Sequence, residues 1–361
     1  MDYPFLMLAG HGGDRYTLAK ELGITVEQVL DFSSNVSPLG PPQGLLSFLK
    51  DHIHQIEFLP EVDSLELRQA LAERYQCEPD NFLVTSGTTE WIFQAPSLLK
   101  PSKVIIPLPT YSDYRDASII NGLKVEEVLA FHPFQKTTNF LELIKEKISP
   151  GALLFICNPN NPTGQMIDPA QLHELIASHP EAYWIVDESY APFAGPDKET
   201  SLIFREHLDN LMILRSFSKL YCIPGLRLGY AFIKNTSSHF LKILCPWAVN
   251  RLAQLAGRYL LHDKRYEDKV RNYIKREINR IFTKLNEISY LTPYPTDVNF
   301  MLIEVKDPFT AQALTQHLGQ KAILIRNCAN FLGLSGEFIR ISIKSPEDND
   351  HLIKNFLKLT S

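Results

Sequence analysis

Residues 151–159 read GALLFICNP, residues 182–189 read AYWIVDES, and residues 211–218 read LMILRSFS. Each is a short, unbroken apolar run that ends in polar residues. A half-exposed strand would alternate apolar and polar side chains. An unbroken run suits a strand buried on both faces, as in a parallel sheet covered by helices. Helical spacing lies around these runs. In SLELRQALAERY (64–75), Leu65, Leu67, Ala70 and Leu71 are apolar, and TTEWIFQAPSLL (88–99) and DPAQLHELIASHP (168–180) also read as helices. NFLVTSG (81–87) is a strand running into a glycine turn, and KVIIPLP (103–109) is a short strand ended by prolines. This βαβ rhythm predicts a large α/β domain over about 45–245, with a mostly parallel, seven-stranded sheet flanked by helices.

After that the pattern changes. YEDKVRNYIKREINRIFTKLNEI (266–288) is a long polar helix. VNFMLIEV (298–305), AILIRN (322–327) and FIRISI (338–343) read as strands, with a helix at TAQALTQHLG (310–319). A final helix opens at SPEDND (345–350), with Ser345 as N-cap and Pro346 in the first turn. Residues 246–361 are therefore expected to form a small α+β domain. Residues 1–44 hold one short helix and then Gly and Pro, and are expected to pack on that domain and arch over the cleft.

The bulk numbers narrow the function. The chain has 361 residues, 45% hydrophobic and 21% charged, with a net charge of −5. That balance argues against a nucleic-acid or anionic-membrane partner. No apolar run approaches the ~18–20 residues that span a bilayer. MDYPFLMLAG (1–10) lacks the basic leader of a signal peptide. Cys77, Cys157, Cys222, Cys245 and Cys328 form no CxxC pair and are odd in number, so reduced thiols in a cytoplasmic protein are expected. No metal site is expected.

In open α/β sheets, ligands sit beyond the carboxyl ends of the strands. NFLVT ends in Ser86, Gly87 and Thr88 before a helix, where backbone amides make an anion site. The same residues also cap any ordinary helix. ALLFIC ends in NPNNPTG (158–164), a rigid turn that brings Asn161 to the strand end; a purely structural loop is the alternative. AYWIV ends in Asp187 and Tyr190, and a carboxylate beside four apolar neighbours needs a partner to stay charged. LMILR ends in Ser216, Ser218 and Lys219, and a Pro224-Gly225 turn leads to Arg227.

One ligand fits the ordered set. Its phosphate suits Gly87, Thr88, Ser216, Ser218 and Arg227, its aldehyde Lys219, its ring nitrogen Asp187, and its phenolic oxygen Asn161 and Tyr190. Tyr111, in LPTYSDY (108–114), is placed to stack on the ring. That ligand is pyridoxal 5′-phosphate, whose usual protein partners are a lysine and an acidic residue on the ring nitrogen.

NPNNPTG, DESY (187–190) and SFSKLYCIPGLRLGY (216–230) resemble the signature segments of fold-type I, class II aminotransferase-like enzymes, over a span from about residue 10 to the C-terminus. The resemblance implies an active site shared across a homodimer. GHGGDRYTLAKELGITVEQVLDFSSNVSPLGPP (10–42) and ILIRNCANFLGL (323–334) are similar to the threonine-phosphate decarboxylase branch of cobamide synthesis. Histidinol-phosphate aminotransferases are the related branch. The resemblance implies Arg340 on the substrate α-carboxylate and Arg326 on a substrate phosphate. It puts His11 and Ser34 near that phosphate and turns Asn35 to the substrate end of the cleft. The implied substrate is a small phosphorylated amino acid, and the implied catalytic residues are Lys219, Asp187 and Tyr190. Two departures stand out. Leu59 occupies the place of a tyrosine that reaches the neighbouring subunit's cofactor phosphate, and Asn327 stands where the decarboxylase branch often has Asp. Fold-type I domains also occur fused to DNA-binding modules in transcriptional regulators, but residues 1–44 are too few and too weakly basic for such a module.

Overall fold

The computed structural model describes residues 11–131, 140–205, 207–234, 245–334 and 336–359. Residues 1–10, on which the leader argument rests, lie outside that range. Thirteen strands are found among the described residues. β1 is Leu30–Asp31. β2 (Phe82–Thr85), β3 (Val104–Leu108), β4 (Val125–Leu129), β5 (Leu153–Cys157), β6 (Tyr183–Asp187), β7 (Leu211–Ser216) and β8 (Gly229–Ile233) belong to the large unit. β9 (Leu291–Pro293), β10 (Phe300–Val305), β11 (Ile323–Leu324), β12 (Arg326–Asn327) and β13 (Phe338–Ser342) follow.

The large sheet has seven strands in the order β2-β8-β7-β6-β5-β3-β4. β8 runs antiparallel to both its neighbours and every other pairing is parallel. The three runs that predicted the sheet are its middle, β5, β6 and β7. Alternate residues on them feed two different cores. Leu154, Ile156, Trp184, Val186 and Ile213 face one side. Leu153, Phe155, Ile185, Met212 and Leu214 face the other, against Trp91, Ile92, Tyr114 and Ala117 of two covering helices. Removing such side chains from water contributes about 1.5–3 kcal/mol each. The runs lack polar residues because neither face meets water. β4 and β8 were not read from the sequence; β4 is polar on the sheet edge, and β8 directly follows the Arg227 turn.

The small unit is a four-stranded antiparallel sheet, β12-β13-β10-β9, covered by the helices Lys264–Asn286 and Pro346–Leu357. Ser345 caps the last helix by accepting from the Asp348 amide. One expectation fails here. AILIRN is not a single strand: Ile323 and Leu324 pair in parallel with Leu30 and Asp31, whereas Arg326 and Asn327 pair with Arg340 and Ile339 in the other sheet. The chain changes sheets at Ile325. The same pairing ties the N-terminal segment to the C-terminal unit. The helix Arg251–Leu261, beyond the expected boundary at 245, packs on the helices Leu45–Asp51 and Leu65–Tyr75.

Candidate active site

Because β2, β3, β5, β6 and β7 point the same way, their carboxyl ends share one edge. Two connected cavities open there. The inner one is lined by Gly87, Thr88, Tyr111, Tyr114, Asn161, Asp187, Tyr190, Ser216, Ser218, Lys219 and Arg227. Lys219 also lines the outer cleft of about 1010 Å³, together with His11, Ser34, Asn35, Arg326 and Arg340. Every sequence-predicted residue except Ser86 therefore borders one of the two cavities. Ser86 lies just outside, and its amide donates to Glu90 Oε2 at 2.8 Å.

The floor of the inner cavity is built for an anion. The helix Thr88–Leu99 starts there and no side chain of its N-cap, Gly87, satisfies its first amides. Gly87 has φ of +82°, and a Cβ there would meet Arg227 Nη2 at 2.5 Å. Only glycine admits both that backbone and that approach. The Ser218 hydroxyl is buried with no protein partner. Among the described residues no carboxylate pairs with Arg227, whose Nη1 donates only to the Pro224 carbonyl at 3.3 Å. Ser216 Oγ accepts from the Ser218 amide at 3.2 Å and so starts the short turn that presents Lys219. Free amides, an orphaned buried hydroxyl and a guanidinium without an acid are what a phosphate monoester requires.

The far end of the same cavity holds Asp187, nearly fully buried. Burial pushes its carboxyl up, and bonds from Ser189 and Tyr114 together with the charge of Lys219 pull it back. Oδ1 accepts from the Ser189 amide at 2.9 Å and Oδ2 from the Tyr114 hydroxyl at 2.9 Å. A protonated ring nitrogen placed here would supply the missing counter-charge. The residues thus fit pyridoxal 5′-phosphate: Gly87, Thr88, Ser218 and Arg227 would take its phosphate, Lys219 its aldehyde, Asp187 its ring nitrogen, with Tyr111 lining the same cavity.

Tyr114 was missed by sequence reading. It lies one helical turn past Tyr111, stacks on Phe155 with centroids 5.1 Å apart, and meets Tyr111 edge-on at 5.6 Å. Its hydroxyl is spent on Asp187. Tyr114→Phe leaves the packing and removes that bond. A hydrogen bond to a charged group contributes about 1.5–3 kcal/mol, so cofactor affinity should fall about tenfold or more. Titrating apo-protein with cofactor by absorbance checks this; an unchanged dissociation constant would contradict the assignment.

Of the four polar residues in NPNNPTG, only Asn161 lines the cavities. Asn158 braces Ile167, and Asn160 bonds Thr110, Thr163 and the Pro109 carbonyl. Asn161 Oδ1 accepts from Arg340 Nη1. Asn35 Nδ2 donates to the Tyr190 hydroxyl at 3.3 Å, which joins the N-terminal segment to the β6 end. Glu188, next to Asp187, plays no part in the cavity: it is fully buried against Arg215, Ser201 and the Leu202 amide.

The outer cleft carries the two arginines. Arg340 is buried; Nη2 donates to the Ser33 carbonyl at 2.8 Å, its guanidinium lies 5.3 Å from the Phe300 ring centre, and Nε has no protein partner. Arg326 donates to the Asn327 carbonyl at 2.7 Å and to Asn330 Oδ1 at 2.5 Å, and no carboxylate pairs with it among the described residues. Burial and the neighbouring Arg340 bring its guanidinium down to about 10. Arg326 and Arg340 are direct cross-strand partners. Ser34 is held by Asp31, which accepts from its hydroxyl at 2.5 Å. Asn327 Oδ1 accepts from the Ala329 amide at 2.9 Å and closes its own turn. Leu59, at the position of the expected tyrosine, is 77% exposed.

Residues 27–356 match the family model for aminotransferase class I and II. The chain belongs to that family. Its members' cofactor is pyridoxal 5′-phosphate, in agreement with the cavity. The chain is 32% identical over 355 residues to the threonine-phosphate decarboxylase of Salmonella typhimurium, covering 96% of each. It is 30% identical over 354 residues to an adenosylcobalamin biosynthesis bifunctional protein of Leptospira interrogans, and spans 41% of that protein's length. Among solved structures, the L-threonine-O-3-phosphate decarboxylase of Porphyromonas gingivalis superposes with a TM-score of 0.82 at 28% identity, covering 92% of this chain and 99% of that one. The histidinol-phosphate aminotransferase of Clostridium acetobutylicum does so at 0.83 and 27%, with the same coverage. The fold read from the sequence, the fold-type I arrangement, is the fold observed.

Proposed function

We propose that this enzyme decarboxylates a small phosphorylated L-amino acid. The substrate would be L-threonine O-3-phosphate, giving (R)-1-aminopropan-2-yl phosphate, or L-serine phosphate, giving ethanolamine phosphate, for the cobamide nucleotide loop. One observation carries the reading: Arg326 and Arg340 face each other across β12 and β13 at the mouth of the cofactor cavity. Like charges opposite each other in a sheet repel. With no acid between them among the described residues, the pair suits a ligand with two anionic groups a few bonds apart. A phosphorylated amino acid has a carboxylate for Arg340 and a phosphate for Arg326.

Bound there, the cofactor supplies an electron sink for the charge left at the substrate Cα. The chain's residues do the rest. Lys219 Nζ would anchor the aldehyde and, lining both cavities, could hold or return a proton at Cα. Asp187 keeps the ring nitrogen protonated. Arg340, held by Asn161 and Ser33, would set the carboxylate's direction, and with it the orientation of the bonds at Cα. The carboxylate leaves as CO₂ and Cα takes one proton. Relatives named histidinol-phosphate aminotransferase support a second reading, in which a keto acid accepts the amino group.

The reading extends to a cytoplasmic homodimer with a shared site. Ile53, Ile56, Phe58, Leu59, Val62 and Trp247 are exposed apolar side chains along one stretch, and the Trp247 amide bonds the Val62 carbonyl. A patch of that kind supports a second copy as its cover. The reaction is tested with purified protein and L-threonine phosphate or L-serine phosphate, without keto acid. CO₂ and the amine phosphate are expected. Turnover that appears only with 2-oxoglutarate would sink the decarboxylase reading.

A further inference from the structure

Asp113 has no role in the residue set above, yet it touches both of the site's ends. It is the first residue of the helix Asp113–Ile120 and only 6% exposed. An acid at that position ordinarily favours the helix dipole or caps its amides. Here no bond from the carboxylate to those amides is found among the described residues. The carboxylate turns outward instead. His11 Nε2 lies 3.3 Å from Oδ1. His11 comes from the N-terminal segment and Tyr111 from the loop after β3. Their rings stand 5.7 Å apart, centre to centre. Burial raises the Asp113 carboxyl, and Asp116 adds to it, so the group is held there at a cost that its donors offset.

We propose that Asp113 is a positioning residue that holds the His11 imidazole beside the Tyr111 ring. One carboxylate thereby sets the cofactor's stacking face and the substrate's phosphate end together. A histidine's free nitrogen is aimed by the bond the other makes. With Nε2 on Asp113, Nδ1 is left for the cleft, where Ser34 and Arg326 also border the space. The charged groups around the imidazole are Asp113 and Asp116 of the helix, with Arg115 between them, and Arg326 across the cleft. Without that hold, the imidazole regains rotamer freedom that substrate binding must then remove. The inference rests on the reading of His11 as a phosphate-binding residue.

The test uses the holoenzyme with L-threonine phosphate and three variants: Asp113→Asn, His11→Gln and the double variant. Asp113→Asn should raise KM about tenfold with a smaller change in kcat. In the His11→Gln background it should add nothing further to KM, because its effect passes through His11. Asp113→Asn and His11→Gln should both alter the visible circular-dichroism band of the bound cofactor, because the first frees and the second removes the imidazole that lies beside the Tyr111 ring. An Asp113→Asn enzyme with wild-type KM and dichroism would overturn the proposal, as would a KM effect that adds in full to that of His11→Gln. A wild-type enzyme that neither binds nor consumes L-threonine phosphate or L-serine phosphate would overturn both this proposal and the substrate reading; failure of the positioning role alone shows in a wild type that does.

Discussion

Lys219→Ala should abolish turnover and remove the visible absorption band of the lysine-bound cofactor. Two losses combine in this variant. The aldehyde anchor disappears, and with it the amine that holds or returns the proton at Cα. Acid–base assistance alone is worth about 10²–10⁴-fold, so the decrease should be at least that large. The fold should survive. Lys219 sits on a four-residue turn, Phe217–Leu220, started by Ser216 and closed by apolar side chains that do not change. Its carbonyl accepts from the Ser37 amide at 2.8 Å, a bond that alanine keeps. The measurement is an absorbance spectrum of the variant mixed with cofactor, before and after borohydride. A retained, borohydride-trappable band would show that another amine is the anchor.

The second large effect belongs to Asp187→Asn. The carboxylate is buried, and its two oxygens already accept from Ser189 and Tyr114. Asparagine keeps the shape but removes the charge that holds a proton on the cofactor's ring nitrogen. Its amide would also place a donor against the Tyr114 hydroxyl or the Ser189 amide. Losing one preorganised electrostatic partner at a reacting centre costs about 10²–10³-fold in kcat. Cofactor affinity should fall as well, since a buried charge pair is broken from one side. Rates within a few-fold of wild type would mean that the ring nitrogen is not protonated by this residue. Tyr114→Phe should act in the same direction and more weakly, because it removes a neutral donor to the carboxylate rather than the carboxylate.

The inner cavity was legible in the sequence because a parallel sheet makes it so. Each strand runs in the same sense, and each of the polar ends after NFLVT, ALLFIC, AYWIV and LMILR therefore arrives at one edge. Local order along the chain is enough to collect Gly87, Asn161, Asp187 and Lys219. Ser86 falls outside: of the two residues between the strand end at Thr85 and the helix start at Thr88, Gly87 lines the cavity, whereas the Ser86 amide donates to Glu90. Tyr114 was invisible for a different reason: a second tyrosine three residues after the first looks like core, and its hydroxyl finds Asp187 only once the helix is packed on the sheet. The asparagines show the same limit. Three of them crowd residues 158–161, and only tertiary packing distinguishes the two that brace the loop from the one that meets Arg340.

The substrate end depends on contacts far apart in sequence. AILIRN reads as one strand because its side chains are those of one strand. It is divided because Ile323 and Leu324 find their partners in Leu30 and Asp31, some 290 residues earlier by number, whereas Arg326 finds Arg340. That division places the two guanidiniums opposite each other. His11 and Asp113 likewise meet only when the N-terminal segment closes over the loop after β3. Strand propensity, helix spacing and strand-end polarity are local properties of the chain, and they were enough to read the sheet and the cofactor and to single out Lys219. The pairing of Arg326 with Arg340 across β12 and β13 and the His11–Asp113 contact are non-local, set by register and burial; the resemblance named Arg326, Arg340 and His11, but their juxtaposition and the part of Asp113 appear only when those distant segments are packed together.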